Sequence, residues 1–393
     1  MKIRKMNFSF LAVMMVAFTV MFTSCKKEDD PKPQKETDEL TGSITGNKML
    51  DPNVSYKLTG PLVVESGAEL NIPAGTVIKA AKGFNSYILV LQGGKINING
   101  TAEKPVTMTA DIPNAGAGHW GGLIINGYAP LAGGTTGSTE ISSAHLYGGN
   151  NPTDNSGSIC YLILEYTGAR SAADVEHNGL TLNGVGNGTT IENVYILHSS
   201  DDGIELFGGT VNVKNLLVVN PDDDMFDFTQ GYTGTLENAY GIWEAGHTST
   251  ESDPRGIEAD GNLDGNFPTQ SGQSNITVRN ITFDIRIAPA ADSDIANVSN
   301  KMQDVIKVRR SALLNVSNAV VKGTGTVIDL IDMKDGKGNA NVNSTISLSN
   351  ALSNSILGSE VNPPTGFPGA AVQYGNTGCA KDVFSWTKYS FKE

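Results

Sequence analysis

Acidic side chains recur in this chain at intervals that suit joint chemistry. Asp201-Asp202 and Asp223-Asp224 are carboxylate pairs 22 residues apart, and each is followed, three residues after its second member, by a further acid, Glu205 or Asp227. Glu258 stands three residues after Arg255 in the same pattern, and His177 occupies the place held by Asp201 and Asp223. Carboxylates brought together do one of three things. They bind a hard cation such as calcium, they hold protons at raised pKa values, or two of them act as acid and base on a glycosidic bond.

None of this happens unless the chain folds the acids into register. The stretch around them repeats: Thr190-Ile191-Glu192-Asn193-Val194 returns as Asn212-Val213-Lys214-Asn215-Leu216 and again as Thr235-Leu236-Glu237-Asn238-Ala239, with spacings of 22 and 23 residues between the Asn positions. Ile204/Leu206 and Phe226/Phe228 alternate with period two, which is strand periodicity. A fixed period in the twenties with Gly, Asn and Asp at the bends predicts a parallel β-helix of about ten rungs, each too thin to bury its inner face alone. In register, Thr181, Glu205, Asp227, Glu258, Lys307 and Asp329 share one outward column. Like charges stacked at about 4.7–4.9 Å destabilise a sheet, so Arg255, a bound cation or protonation must compensate. Solvated turn acids are the plain alternative. Asn193, Asn215, Asn238, Asn280, Asn318 and Asn350 predict a ladder of stacked amides.

Asp260-Gly261-Asn262-Leu263-Asp264-Gly265 opens like a calcium loop, with Ser271 where the closing Glu belongs, so Asp260, Asn262 and Asp264 join Asp202 and Asp224 as candidate metal ligands. Glu205, Asp227, Arg255 and Glu258 are the candidate ligand-binding residues. Trp243, Tyr232, Tyr240, Phe207 and Tyr147 are read as flat faces for sugars or as packing. For catalysis, Asp201, Asp202, Asp223, Asp224 and His177 are the candidates, and Arg255, Lys307, Arg309 and Arg310 could serve a lyase. The sequence contains no nucleophile elbow, zinc motif or phosphate loop.

Residues 1–25 read as a processing signal: basic Lys2, Arg4 and Lys5, an apolar run from Phe8 to Phe22, then Thr23-Ser24-Cys25. They resemble a bacterial lipoprotein signal, which makes Cys25 the lipidated first residue of the mature chain. Lys26-Lys27-Glu28-Asp29-Asp30 resembles the signal that sends such lipoproteins to the outer face of the outer membrane. Residues 26–43 are expected to be a disordered tether, with the solenoid over 44–375, loop excursions near 128–158 and 244–274, and a C-terminal cap at 376–393 that closes the open end with Phe384, Trp386, Tyr389 and Phe391. Loss of residues 1–25 removes three cations and no acid, taking the net charge from −13 to −16. That balance excludes nucleic acid as a partner. Cys160 and Cys379 are open to pairing or to simple burial.

Segments such as "SGAELNIPAGTVIKA", "HWGGLIINGYAPL", "IENVYILHSSDDGIELFGG", "RGIEAD" and "GNTGCAKDVFSWTKYSF" resemble a family of right-handed parallel β-helix outer-membrane lipoproteins of the pectin-lyase-like superfamily, from about residue 45 to the end. The resemblance implies the fold and carries no settled activity. Superfamily hydrolases of the polygalacturonase type use three carboxylates about one rung apart, including an Asp-Asp pair, which Asp201-Asp202 and Asp223-Asp224 mimic. Their Gly-His-Gly and Arg-Ile-Lys motifs are missing. The sequence therefore favours a non-catalytic surface protein that binds a glycan or another extracellular ligand, with calcium and a neighbouring outer-membrane transporter as expected associates. A polysaccharide lyase or hydrolase and an adhesive stalk remain the other two readings.

Overall fold

A computed structural model describes residues 37–391 apart from 135, 173, 174 and 368. The expected signal, Cys25 and the first part of the tether lie outside the described residues. The chain forms a right-handed parallel β-helix. Short strands, Leu180–Asn183, Ile204–Phe207 and Phe226–Thr229, stack as one ladder, continued by Arg255–Asp260, Lys301–Arg309 and Thr326–Asp332. Longer strands, Thr190–Leu197, Asn212–Val219, Thr235–Trp243, Asn275–Ile285 and Leu313–Gly323, supply the other two faces. Each bends at one left-handed residue: Asn193 (φ 59°), Asn215 (57°), Asn238 (58°), Asn280 (55°) and Asn318 (55°). Asn tolerates that backbone better than branched or bulky residues do.

The amides of those residues donate from each rung to the one before, at 2.9, 2.9, 3.0 and 2.9 Å. Asn350 is not the next member, because it pairs opposite Val321 and accepts from Leu352 N–H instead. The place above Asn318 is taken by Thr377 and Gly378, whose N–H groups donate to its Oδ1. A second ladder, Asn47–Asn71–Asn97, runs through the first rungs. Asn215→Ala is expected to cost about 2 kcal/mol through left-handed strain and lost amide bonds, and Asn215→Gly distinctly less because glycine keeps the bend. Urea denaturation of the two variants tests this, and equal losses would show that the amide stack, not the backbone, sets the cost.

Inside, like stacks on like. Ile204, Leu206, Phe226, Phe228, Ile257, Ala259, Ile306 and Val308 are all buried in consecutive rungs. Each large side chain so buried contributes roughly 1.5–3 kcal/mol, which is what makes the thin rungs cohere. Among the described residues no helix is long and apolar enough to cross a membrane.

Two boundaries differ from expectation. Thr37–Ile44 is already a strand, paired with Ser55–Val64, so ordered structure enters the predicted tether. The excursion after Trp120–Asn126 exists and contains an antiparallel hairpin, Gly137–Thr139 with Ser142–Tyr147. The expected excursion at 244–274 is interrupted by the rung strand Arg255–Asp260. A further loop follows Asn275–Ile285 and is gathered by the buried Lys301, whose Nζ bonds Asp292 at 2.6 Å and the carbonyls of Asp294 and Asn297 at 3.0 and 2.6 Å.

The C-terminal segment does not close the open end. It runs back along a flank as a strap, with Cys379 N–H on Thr282 Oγ1 at 3.0 Å and Trp386 edge-on to Tyr161 at 5.2 Å. Phe384 and Trp386 are buried against a cluster that includes Tyr195, Leu217, Tyr240 and Ile242, outward residues on those long strands. Strands apolar on both faces need cover on both, and the strap supplies it. Cys160 and Cys379 are both free.

Candidate functional site

The corner just before the short-strand ladder explains the Asp pairs. Asn178 Oδ1 accepts the backbone N–H of Asp202 at 3.2 Å, Asp202 Oδ1 that of Asp224 at 2.9 Å, and Asp224 Oδ1 that of Arg255 at 2.7 Å. A short side chain with an acceptor oxygen is required at each step, and Asp satisfies it. The price of that solution is charge. Three residues on, Thr181, Glu205, Asp227, Glu258 and Lys307 pair rung to rung, as the sequence register predicts. The last member is corrected: Asp332 follows Lys307, and Asp329 pairs with Asp304. Both apolar sets in Thr326–Asp332 are buried, so alternation could not decide the register.

The two columns bring carboxylates into overlapping triads. Ligand oxygens of Asp201, Asp202 and Asp223 lie within 4.8 Å of one another, and so do those of Asp202, Glu205 and Asp227 and those of Asp224, Asp227 and Glu258. A separate triad joins Asp304, Asp329 and Asp332. Asp223 Oδ1 and Asp227 Oδ1 are buried without a hydrogen-bond partner. Burial, reinforced by neighbouring carboxylates, pushes Asp201, Asp202, Glu205, Asp224 and Asp227 well above the ordinary acid range. Burial likewise raises Asp223 to about 8 and Asp304 to about 7, against the pull of nearby Arg255 in each case.

Compensation is unequal along the row. At one end Arg255 reaches Glu258, Asp253, Asp304 at 3.4 Å and Asp224 at 3.9 Å. Arg309 pairs with Glu258 and Asp260, and Lys307 with Asp332. Toward Asp201, Asp202 and Glu205 the balance is acidic, with Arg170 the cation acting on Asp201. The hairpin excursion adds Glu140, which with Glu176 and Thr181 lines a small hollow and raises Glu205 further. Loop residues have no rung register, so Glu140 was invisible to periodicity; Asp304 stands three residues before Lys307, opposite Arg255, and could have been found from that spacing, whereas Asp332 was missed because Asp329 was put in its place.

Several candidates are not placed to contact a ligand. Arg255 is 3 % exposed and fully engaged by acids, so it is a counter-ion rather than a ligand contact. Trp243 is 1 % exposed and donates Nε1–H to the Pro221 carbonyl at 3.2 Å, which removes it as a sugar platform. Tyr232, Tyr240, Phe207 and Tyr147 are buried as well. His177 is buried against Phe84 and Tyr87, with Nε2 3.0 Å from the Phe84 carbonyl. Burial lowers its pKa to about 4, so it is neutral at pH 7 and packs rather than serving the acids. Asp260, Asn262 and Asp264 do not make a calcium cage. Arg309 and Arg310 take Asp260, and Asn262 turns to Gln273 and the Arg310 carbonyl. Asp264 is exposed.

Overlapping oxygen triads with orphaned buried oxygens suit a hard divalent cation, which takes 6–8 oxygen ligands, and suit acid–base chemistry less well, because Asp202 and Asp224 already spend an oxygen on the backbone. Comparison with protein-family models matches residues 42–388 to one described as a pectate-lyase-like beta helix domain. Comparison with curated proteins and with solved structures found no match in either.

Proposed function

The chain belongs to the pectate-lyase-like β-helix family, and on that premise we propose that it binds an extracellular glycan without cleaving it, assisted by calcium in the acidic row. The observation that carries this reading is the pair of triads sharing Asp227, whose Oδ1 is buried and unpartnered. Asp202, Glu205 and Asp227 would hold the ion, with Asp224 behind them, while Glu258, paired with Arg255 and Arg309, marks the cation-compensated end of the row. The ion supplies positive charge in place of protons and offers its open side to sugar oxygens. Anchoring through lipid on Cys25, an outward-facing position on the outer membrane and a transporter as neighbour belong to the same proposal and rest on the sequence of the first thirty residues.

Calorimetric titration of the purified protein with a panel of glycans, run with calcium and again with a chelator, is expected to give heat only when calcium is present. Flat traces in both would remove the binding reading. Raised carboxylate pKa values also favour a second reading, a lyase or hydrolase, since a general acid must hold its proton near neutral pH. Incubation with acidic polysaccharides discriminates: release of unsaturated or reducing ends, abolished in Asp202→Ala and Asp224→Ala, would replace binding by catalysis.

A further inference from the structure

Where the strap crosses the long-strand face it walls one side of a half-open cavity of about 620 Å³, within the size range of small-ligand sites. Its wall carries Arg286, Lys322 and Lys381 together with Asp284, Glu244 and Thr324. We propose that this cavity is a second binding site, for a sugar-sized ligand that carries a carboxylate or sulfate.

Both acids are already engaged. Asp284 Oδ2 accepts from Tyr240 Oη at 3.1 Å and Arg286 at 2.6 Å, with Lys322 Nζ at 3.5 Å. Glu244 accepts from Asn220 Nδ2 at 2.8 Å and Tyr389 Oη at 2.7 Å. The guanidinium brings five N–H donors and each ammonium three, so the three cations hold many more donors than these two carboxylates absorb. Lys322 and Lys381 also lie over aromatic rings, at 5.6 Å from the Tyr240 centroid and 6.0 Å from that of Phe391. Those rings place the ammonium groups without neutralising them.

The lining therefore has one positive charge in excess, in a chain whose formal net charge is −13. An oxyanion is not drawn in by the field of the whole protein, so it must be held by contact. Charge-assisted hydrogen bonds from Arg286, Lys322 and Lys381 do that. Thr324 Oγ1, which donates to the Ile287 carbonyl at 3.1 Å, keeps its lone pairs for a sugar hydroxyl. A neutral sugar would leave the surplus donors without a matching charge, which sets the specificity. The site is built by the strap: Lys381 comes from it, and Lys322 and Lys381 also line an adjoining hollow of about 230 Å³ under the same segment.

Titration calorimetry at low salt in the presence of a chelator keeps this site separate from any calcium at the acidic row. The probes are glucuronic acid, glucose 6-sulfate and glucose. At least one acidic sugar is expected to bind at millimolar concentration while glucose does not. Lys322→Gln and Lys381→Gln should each weaken that binding about tenfold, the effect of one charge-assisted hydrogen bond, with melting temperature unchanged for Lys381→Gln. Binding of neither acid, equal binding of glucose, or affinity unaltered in both variants would overturn the proposal. A carboxylate-only or sulfate-only response supports it and identifies which anion the cavity takes.

Discussion

Stripped of divalent ions, the protein is expected to melt at a steadily lower temperature as the pH rises from about 6.5 to about 8.5, by an amount on the order of 10 °C. The cause is the acidic row. Asp223 and Asp304 are raised to about 8 and about 7 by burial, and Asp201, Asp202, Glu205, Asp224 and Asp227 are raised well above the usual carboxylate range for the same reason. The folded state thus keeps protons that the unfolded chain has released by about pH 5, and their contribution, complete below about pH 4, is lost as pH climbs through the folded values. His177 and His247, both held near 4 by burial, act oppositely. Their neutral forms make stability rise between about pH 4 and 6.5, so the acids act without that opposition only above this range.

Calcium should abolish the decline, because the ionised carboxylates then have a counter-charge that binds only the folded state. Asp227→Asn is expected to reduce the metal-free decline and also to reduce the calcium-induced rise, a combination that a merely solvated row of acids would not produce. Scanning calorimetry across the pH range, with chelator and with calcium, is the measurement. A flat metal-free profile above pH 6.5 would mean that the acids ionise freely, and the row would lose its claim to be a site.

Much of this arrangement was legible because a solenoid converts spacing in sequence into adjacency in space. The 22-residue recurrence placed Glu205 on Asp227, and the place of Arg255 relative to Glu258 extended the column by one more rung. The failures share a physical cause, which is that periodicity speaks only of rungs. Glu140 lies in a hairpin outside the register, and the strap lies along a flank because Tyr195, Leu217 and Tyr240 point outward as apolar residues that need cover. Alternation marks those residues as apolar but is silent on what covers them. Trp243 failed differently: at the end of its strand it could point either way, and burial of the indole with a carbonyl for its N–H decided the matter. In Asp260-Gly261-Asn262-Leu263-Asp264, the local pattern suggested a cation loop, but two arginines from the next rung, Arg309 and Arg310, supply that charge covalently tethered.

Arg255→Met should be the most damaging single change in the row, costing about 3–5 kcal/mol. The side chain is 3 % exposed and touches Glu258, Asp253, Asp304 and Asp224. Methionine of similar length fills the space but leaves Asp224, Glu258 and Asp304 facing one another with a single large counter-charge removed, and burial gives these three no water to fall back on, whereas Asp253 reaches solvent. Protonation is the remaining recourse of Asp224 and Asp304, whose carboxyls burial raises, so the loss should be larger at pH 8 than at pH 6. Pairing the change with Glu258→Gln removes one of the stranded charges and is expected to recover part of the loss, whereas Glu258→Gln alone leaves Arg255 with three acids and costs less. Chemical denaturation of the single and double variants at both pH values measures the coupling. If Arg255→Met lost under about 1 kcal/mol at both pH values, the charge on Arg255 would be incidental to the fold.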